Sequence, residues 1–110
     1  MDYSLGEFEE LVLLNISNIR EEAYGINIKT SFEENCGRKV SLGSLRTALI
    51  RLEKKGYLSS YLGEAVNKRG GKRKRFYEVT ALGYRVLSHV REIRTSLWNS
   101  IPEFSINISR

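Results

Sequence analysis

The chain is poor in the residues that build covalent or metal-based chemistry. It has one cysteine, Cys36, and one histidine, His89. A single thiol forbids an internal disulfide, and these two donors cannot complete the tetrahedral set of a structural zinc site. A lone cysteine also suits a reducing compartment, so a cytoplasmic location is expected. The only proline is Pro102, which leaves helix permitted along nearly the whole chain. The longest aliphatic run, Leu11–Leu14, falls far short of the roughly 20 residues of a membrane span. Acidic Asp2, Glu7, Glu9 and Glu10 stand where a secretory leader needs a basic region.

Motifs of catalysis are equally scarce. The Gly70-Gly-Lys-Arg73 stretch lacks both the leading glycine and the trailing Ser/Thr of a phosphate loop. The pairs Glu9-Glu10, Glu21-Glu22 and Glu33-Glu34 are neighbours on helices or their ends, splayed by about 100° rather than converging on a cleft. Asn15-Ile-Ser17 and Asn107-Ile-Ser109 match the glycosylation triplet, which a cytoplasmic protein does not use. No catalytic residue, metal site, cofactor or membrane association is expected.

What is present is a single domain's worth of chain, 110 residues with an ordinary globular balance of 41% hydrophobic and 28% charged residues. The net charge of +5 is unevenly spread. From Arg38 to Arg75 there are twelve Lys/Arg against two acids, Glu53 and Glu64, an excess of +10, and the rest of the chain carries −5. Positive charge gathered into one third of a chain is the footprint of a polyanion-binding surface. The Lys68–Arg75 cluster surrounds Gly70-Gly71 rather than interleaving with large apolar residues, which disfavours an interfacial membrane helix.

Periodicity predicts four helices and a hairpin. Ser4 and Glu7 have capping-box spacing ahead of a first helix carrying Phe8, Leu11, Val12, Ile16 and Ile19. Leu13 and Leu14 extend its apolarity, so a second face is expected to meet another subunit. A second helix is predicted from about Ala23 to Asn35, with Tyr24, Ile28 and Phe32 four apart and Gly37 ending it. Ser41 is placed to cap a third helix with an apolar stripe of Leu42, Leu45, Leu49 and Leu52, closed by Gly56. Its outward side carries Gly43, Ser44, Thr47, Arg51 and Lys54, flanked by Arg46 and Ile50. Tyr57–Leu62 and Phe76–Thr80 are rich in strand formers and frame a basic tip. In this hairpin Tyr57, Tyr61 and Tyr77 are expected to pack, and one of Lys74 and Arg75 to face away from the tip. Thr80 is placed to cap a last helix whose Val86, Val90, Ile93 and Leu97 form a narrow helix-on-helix seam, ending before Pro102.

Three helices followed by a hairpin describe a winged helix-turn-helix, mainly α with a β-hairpin wing. Within that order the chain resembles the PadR family of transcriptional regulators, in its short form with a single C-terminal helix. The resemblance rests on Leu5-Gly-Glu-Phe-Glu-Glu-Leu-Val-Leu-Leu14, Glu22-Ala-Tyr-Gly25, Gly37-Arg-Lys-Val-Ser-Leu-Gly43, Leu49-x-Arg-Leu-Glu-x-Lys-Gly56, Arg69-Gly-Gly-Lys-Arg-Lys-Arg75 with Tyr77, and Thr80-x-x-Gly83. It covers roughly Leu5 to Trp98. Where the family usually has a Leu-Tyr pair in the third helix, this chain has Leu45-Arg46, so the tyrosine's role does not carry over. Arg46 is left with three roles: phosphate contact, guanine contact, or solvent.

The fold expectation divides the chain into a DNA-binding winged helix-turn-helix over 1–80, a dimerisation helix over 81–101 and a flexible tail over 102–110. The resemblance implies a homodimer on a palindromic operator in double-stranded DNA, usually as a repressor. In some relatives a small hydrophobic effector in the dimer region releases the DNA. Expected DNA contacts are Lys39, Ser41, Gly43, Ser44, Arg46, Thr47 and Arg51 on or beside the third helix, and Lys68, Arg69, Gly70, Gly71, Lys72 and Arg73 on the wing. The expected dimer interface is Phe8, Leu11, Leu14, Val86, Val90, Ile93, Leu97 and Trp98. For Trp98 the preferred expectation is that it covers the end of the first helix, and the other is that it walls an effector cleft. The competing functions are a winged-helix module for an acidic protein partner and an RNA-binding protein.

Overall fold

The computed structural model describes residues 5–63 and 73–103. Ser4, Lys68, Arg69, Gly70, Gly71, Lys72, Asn107 and the tail beyond 103 lie outside the described residues. The order is α1 (Glu7–Ile19), a 3-10 turn (Arg20–Glu22), α2 (Gly25–Cys36), α3 (Leu42–Lys54), β1 (Leu58–Leu62), β2 (Arg75–Val79) and α4 (Ala81–Asn99). This is the expected mostly helical winged-helix arrangement with one antiparallel hairpin. No helix among the described residues is long and apolar enough to cross a membrane.

The helices start and stop where local chemistry dictates. The Ser41 hydroxyl accepts the Ser44 N–H at 3.0 Å, and Thr80 accepts the Gly83 N–H at 3.0 Å, both N-caps as expected. Gly37 ends α2 at φ 68°, a left-handed conformation that costs glycine little. Two boundaries differ from expectation. At α1 the N-cap is Gly6 with no side-chain cap. At α2 the helix begins at Gly25 because the preceding backbone pairs with the wing. The Tyr77 N–H donates to the Ala23 carbonyl at 2.8 Å, and Tyr24 bridges Phe76.

One core gathers all the elements: Val12, Leu13 and Ile16 of α1, Ile28 and Phe32 of α2, Leu45, Ala48, Leu49 and Leu52 of α3, Tyr57 and Leu58, and Val86 of α4. Fully burying each aliphatic side chain is worth about 1.5–3 kcal/mol, so this cluster sets the angle at which α3 leaves the body. Leu42 is not part of it. As the first residue of α3 it lies a turn short of the core and is 54% exposed, and Ala48 fills the stripe instead. Leu13, expected on a second face, is fully buried within the protomer, and only Leu14 projects.

A buried polar knot joins α1 to α2. Asn15 Nδ2 donates to the Leu11 carbonyl at 2.7 Å, and Asn15 Oδ1 accepts from Ser31 Oγ at 2.8 Å and Asn35 Nδ2 at 3.1 Å. Burial of Asn15 removes that glycosylation triplet from any enzyme's reach.

Candidate nucleic-acid interface

The turn between α2 and α3 is held by one carboxylate. Glu33 accepts the Val40 N–H at 2.8 Å and pairs with Lys29 Nζ at 3.1 Å. The Val40 hydrogen bond first, then Lys29, holds its carboxyl below the ordinary value of 4.5. Val40 is thereby fixed one residue before the Ser41 cap, which sets the direction in which α3 presents its front. On that front Ser41 Oγ donates to Ser44 Oγ at 2.9 Å, and Thr47 Oγ1 donates to the Gly43 carbonyl at 3.0 Å. The Ser41 hydroxyl thus both caps the helix and donates to Ser44, while the exposed Thr47 hydroxyl, its proton spent on Gly43, is left as an acceptor. A Cβ built on Gly43 would meet only Ser41 Oγ, at 4.0 Å, so the helix backbone is open to close approach there.

The ridge of α3 stands between two grooves. On one side Ser44, Thr47 and Arg51 face the start of α1, with Gly6, Glu7, Phe8 and Glu9, across a groove of about 440 Å³. On the other, Leu42, Gly43, Arg46, Ile50 and Glu53 face Arg73, Arg75 and Tyr77 of the wing across about 730 Å³. The expected contacts therefore divide. Arg51 belongs with the hydroxyls, while Arg46 turns to the base of the wing, where Arg73 also stands. Lys39 is exposed beside the turn.

The wing's root is locked by a relay and a ring stack. Arg75 Nη1 donates to Ser60 Oγ at 2.9 Å, and Ser60 Oγ donates to Glu53 Oε2 at 2.8 Å, tying β2 through β1 to α3. Tyr61 stacks on Phe76 at 5.5 Å, Phe76 meets Tyr24 edge-on at 5.4 Å, and Lys74 lies 4.2 Å over the Tyr24 ring. Of the pair Lys74 and Arg75, then, the lysine is taken up by an aromatic face and the arginine lines the groove. Burial raises the Tyr77 phenol above its ordinary 10.0, opposed by Arg75, assisted by Glu53 and opposed again by Arg46.

Charge pairing separates structural cations from those of the site. Lys29, Arg38, Lys55 and Arg94 pair with Glu33, Glu7, Glu9 and Glu10 at 3.1, 2.9, 2.7 and 2.7 Å. Among the described residues no ion pair engages Lys39, Arg46, Arg51, Lys54 or Arg73, all of them exposed. No cluster of metal-binding side chains occurs among the described residues.

The expected dimer-interface residues divide as well. Val86 is fully buried in the protomer's core, and the half-buried Phe8 packs edge-on against Phe32 at 5.2 Å. Leu11 and Val90 are half-buried. Leu14, Ile93, Leu97 and Trp98 are exposed, Trp98 to 66%. Trp98 does not cover α1, because it and every residue from 95 to 103 are exposed, past the Arg94–Glu10 pair that still ties α4 to α1. Leu42, Ile50, Arg75 and Tyr77 join the groove without having been expected there. For Leu42 and Ile50 the signal was their four-residue spacing either side of Arg46, which places the three on one ridge; Arg75 and Tyr77 arrive from β2, across the fold.

Comparison with known proteins agrees with this architecture. The family model described as transcriptional regulator PadR-like family matches residues 12–89. A PadR family transcriptional regulator from Eggerthella lenta is 30% identical with TM-score 0.65, over 84% of this chain and 80% of its own. One from Clostridium difficile is 23% identical with TM-score 0.66, over 96% of this chain and 100% of its own. The complex structure of hsRosR-S1 is 25% identical with TM-score 0.69, over 96% and 86%. No curated protein matches the chain in sequence.

Proposed function

This chain belongs to the PadR-like family of transcriptional regulators, and from that premise we propose that it works as a homodimer that represses transcription by occupying a palindromic operator. The single observation that carries the reading is the set of exposed cations on α3 and at Arg73 that no ion pair among the described residues engages. In the major groove α3 would lie with the Gly43 backbone close to the floor, Ser41, Ser44 and Thr47 on phosphates, and an arginine on a base edge. Arg73 would neutralise the flanking backbone, together with Lys68, Arg69 and Lys72, with Gly70 and Gly71 admitting close approach. The exposed apolar residues of α4 with Leu14 supply the material for a dimer contact, and a small hydrophobic effector there would shift the spacing of the two recognition helices.

If a dimer neutralises about eight phosphates, log affinity falls against log salt with a slope near −7, at about −0.9 per phosphate. Titrating the protein against random and library-enriched duplexes at several salt concentrations tests this. A flat salt response, or equal affinity for all duplexes, contradicts it. Tight binding of an acidic protein or of single-stranded RNA in preference to duplex would favour the competing functions.

A further inference from the structure

The Leu42–Arg46–Ile50 ridge is built for more than electrostatic docking. Residues four apart rise from successive turns of α3 on one face, so Arg46 stands between two aliphatic neighbours. Leu42 is 54% and Ile50 50% exposed, although both sit on the helix that carries the site's exposed cations Arg46, Arg51 and Lys54. Neither contributes to the core, and both line the wing-facing groove with Arg46. Exposed aliphatic surface at that place gains nothing from a phosphate backbone; it gains from being covered by an apolar group. In the major groove one natural base, thymine, offers a methyl, and guanine offers paired O6 and N7 acceptors that match an arginine fork. Four residues rise about 6 Å along the helix, close to two base steps of roughly 3.4 Å. Aliphatic side chains on either side of Arg46 thus reach bases one or two positions from the one it contacts.

We propose that this ridge reads a guanine flanked by thymine, Arg46 donating to the guanine O6 and N7 while Leu42 and Ile50 cover thymine methyl groups. The assignment rests on the DNA-binding reading above. Ser44, Thr47 and Arg51 face the other groove, so they leave this strip of base edges to the ridge.

The test starts from a duplex enriched on the full chain from a random library. Single thymines are then replaced by deoxyuridine, which removes the methyl alone, and single guanines by 7-deazaguanine, which removes N7. The expected result is one guanine whose replacement weakens binding about tenfold. Uridine at a neighbouring thymine should weaken it severalfold. Arg46→Ala should abolish the guanine effect, and Ile50→Ala or Leu42→Ala the uridine effect. Arg46→Lys keeps the charge and replaces the fork with a point donor, so it should bind random duplex normally and show a weaker guanine preference; thermal melting of each variant checks folding. Sharp operator preference that is indifferent to uridine and 7-deazaguanine, or equal loss by Arg46→Lys on enriched and random duplexes, overturns this assignment and leaves the broader reading standing. Absence of any salt-dependent duplex binding overturns both.

Discussion

Gly83 illustrates how much a single missing side chain decides. A Cβ there would fall inside contact distance of the Tyr57 carbonyl oxygen and 2.7 Å from Val79 Cγ1. That carbonyl also accepts the Thr80 N–H at 3.0 Å, so it cannot swing away. Gly83→Ala should therefore cost about 1–3 kcal/mol, read as a lowered melting temperature, and an unchanged melting curve would refute the close approach. The glycine in Thr80-x-x-Gly83 was legible as part of a pattern, but its partner was not, since Tyr57 lies across the fold. Asn15 teaches the same lesson from the polar side. In sequence it is one asparagine on an apolar helix; in the fold it accepts from both Ser31 and Asn35. Asn15→Ala takes the acceptor from the buried Ser31 hydroxyl, at roughly 1–3 kcal/mol, while the exposed Asn35 keeps its bond to Ser31 Oγ at 3.2 Å; Ser31→Ala, which leaves Asn35 in place, should cost less. Denaturant titration of the two variants distinguishes a shared knot from two independent bonds.

Among the elements, the stop of α2 and the N-caps of α3 and α4 could be read directly, because Gly37, Ser41 and Thr80 act on backbone within four residues of themselves. Boundaries set by distant partners could not. The start of α2 is decided by β2, whose Tyr77 takes the Ala23 carbonyl, and the exposure of Leu42 is decided by where the core ends. The turn that aims α3 depends on Glu33, which looked like a solvated carboxylate in a Glu-Glu pair. Its folded-state carboxyl sits below 4.5, the Val40 N–H being the main cause. A depressed carboxylate contributes stability that is present above its unfolded value and is lost as pH falls through the lower folded one. Stability should decline below about pH 4.5 for this reason. Glu33→Gln keeps an acceptor for Val40 while removing the titration, so its melting temperature should vary less with pH across that acid limb. A slope identical to that of the parent would mean that Glu33 does not hold the turn.

Taken whole, the molecule is too long for its size. Its radius of gyration is 16.8 Å and its extents are 61 × 33 × 21 Å, against about 13 Å for a compact domain of this length. One contributor is the 19-residue α4, which is tied to α1 by Arg94 and Glu10 at 2.7 Å and bears Ile93, Leu97 and Trp98 in solvent. The four-three-four seam was visible in the sequence; that its first member, Val86, belongs to the protomer's own core was not, because spacing does not say where a helix leaves the body. A helix with an exposed apolar strip loses about 25 cal/mol of stabilisation for each Å² left uncovered, and in the proposed homodimer a second copy of the same strip would cover it. Leu97→Lys should therefore yield a monomer by sedimentation with its winged-helix core still folded. Melting of the parent chain, but not of the variant, should depend on protein concentration. The consequence for DNA binding follows from counting: a monomer meets one half-site, so the salt slope should fall to about half of the dimer's −7. Arg73→Ala, by contrast, removes one phosphate contact per protomer and should shallow the slope by only about 2 per dimer. A Leu97→Lys variant that stays dimeric, or binds with an unaltered slope, would mean that α4 does not couple the two readers.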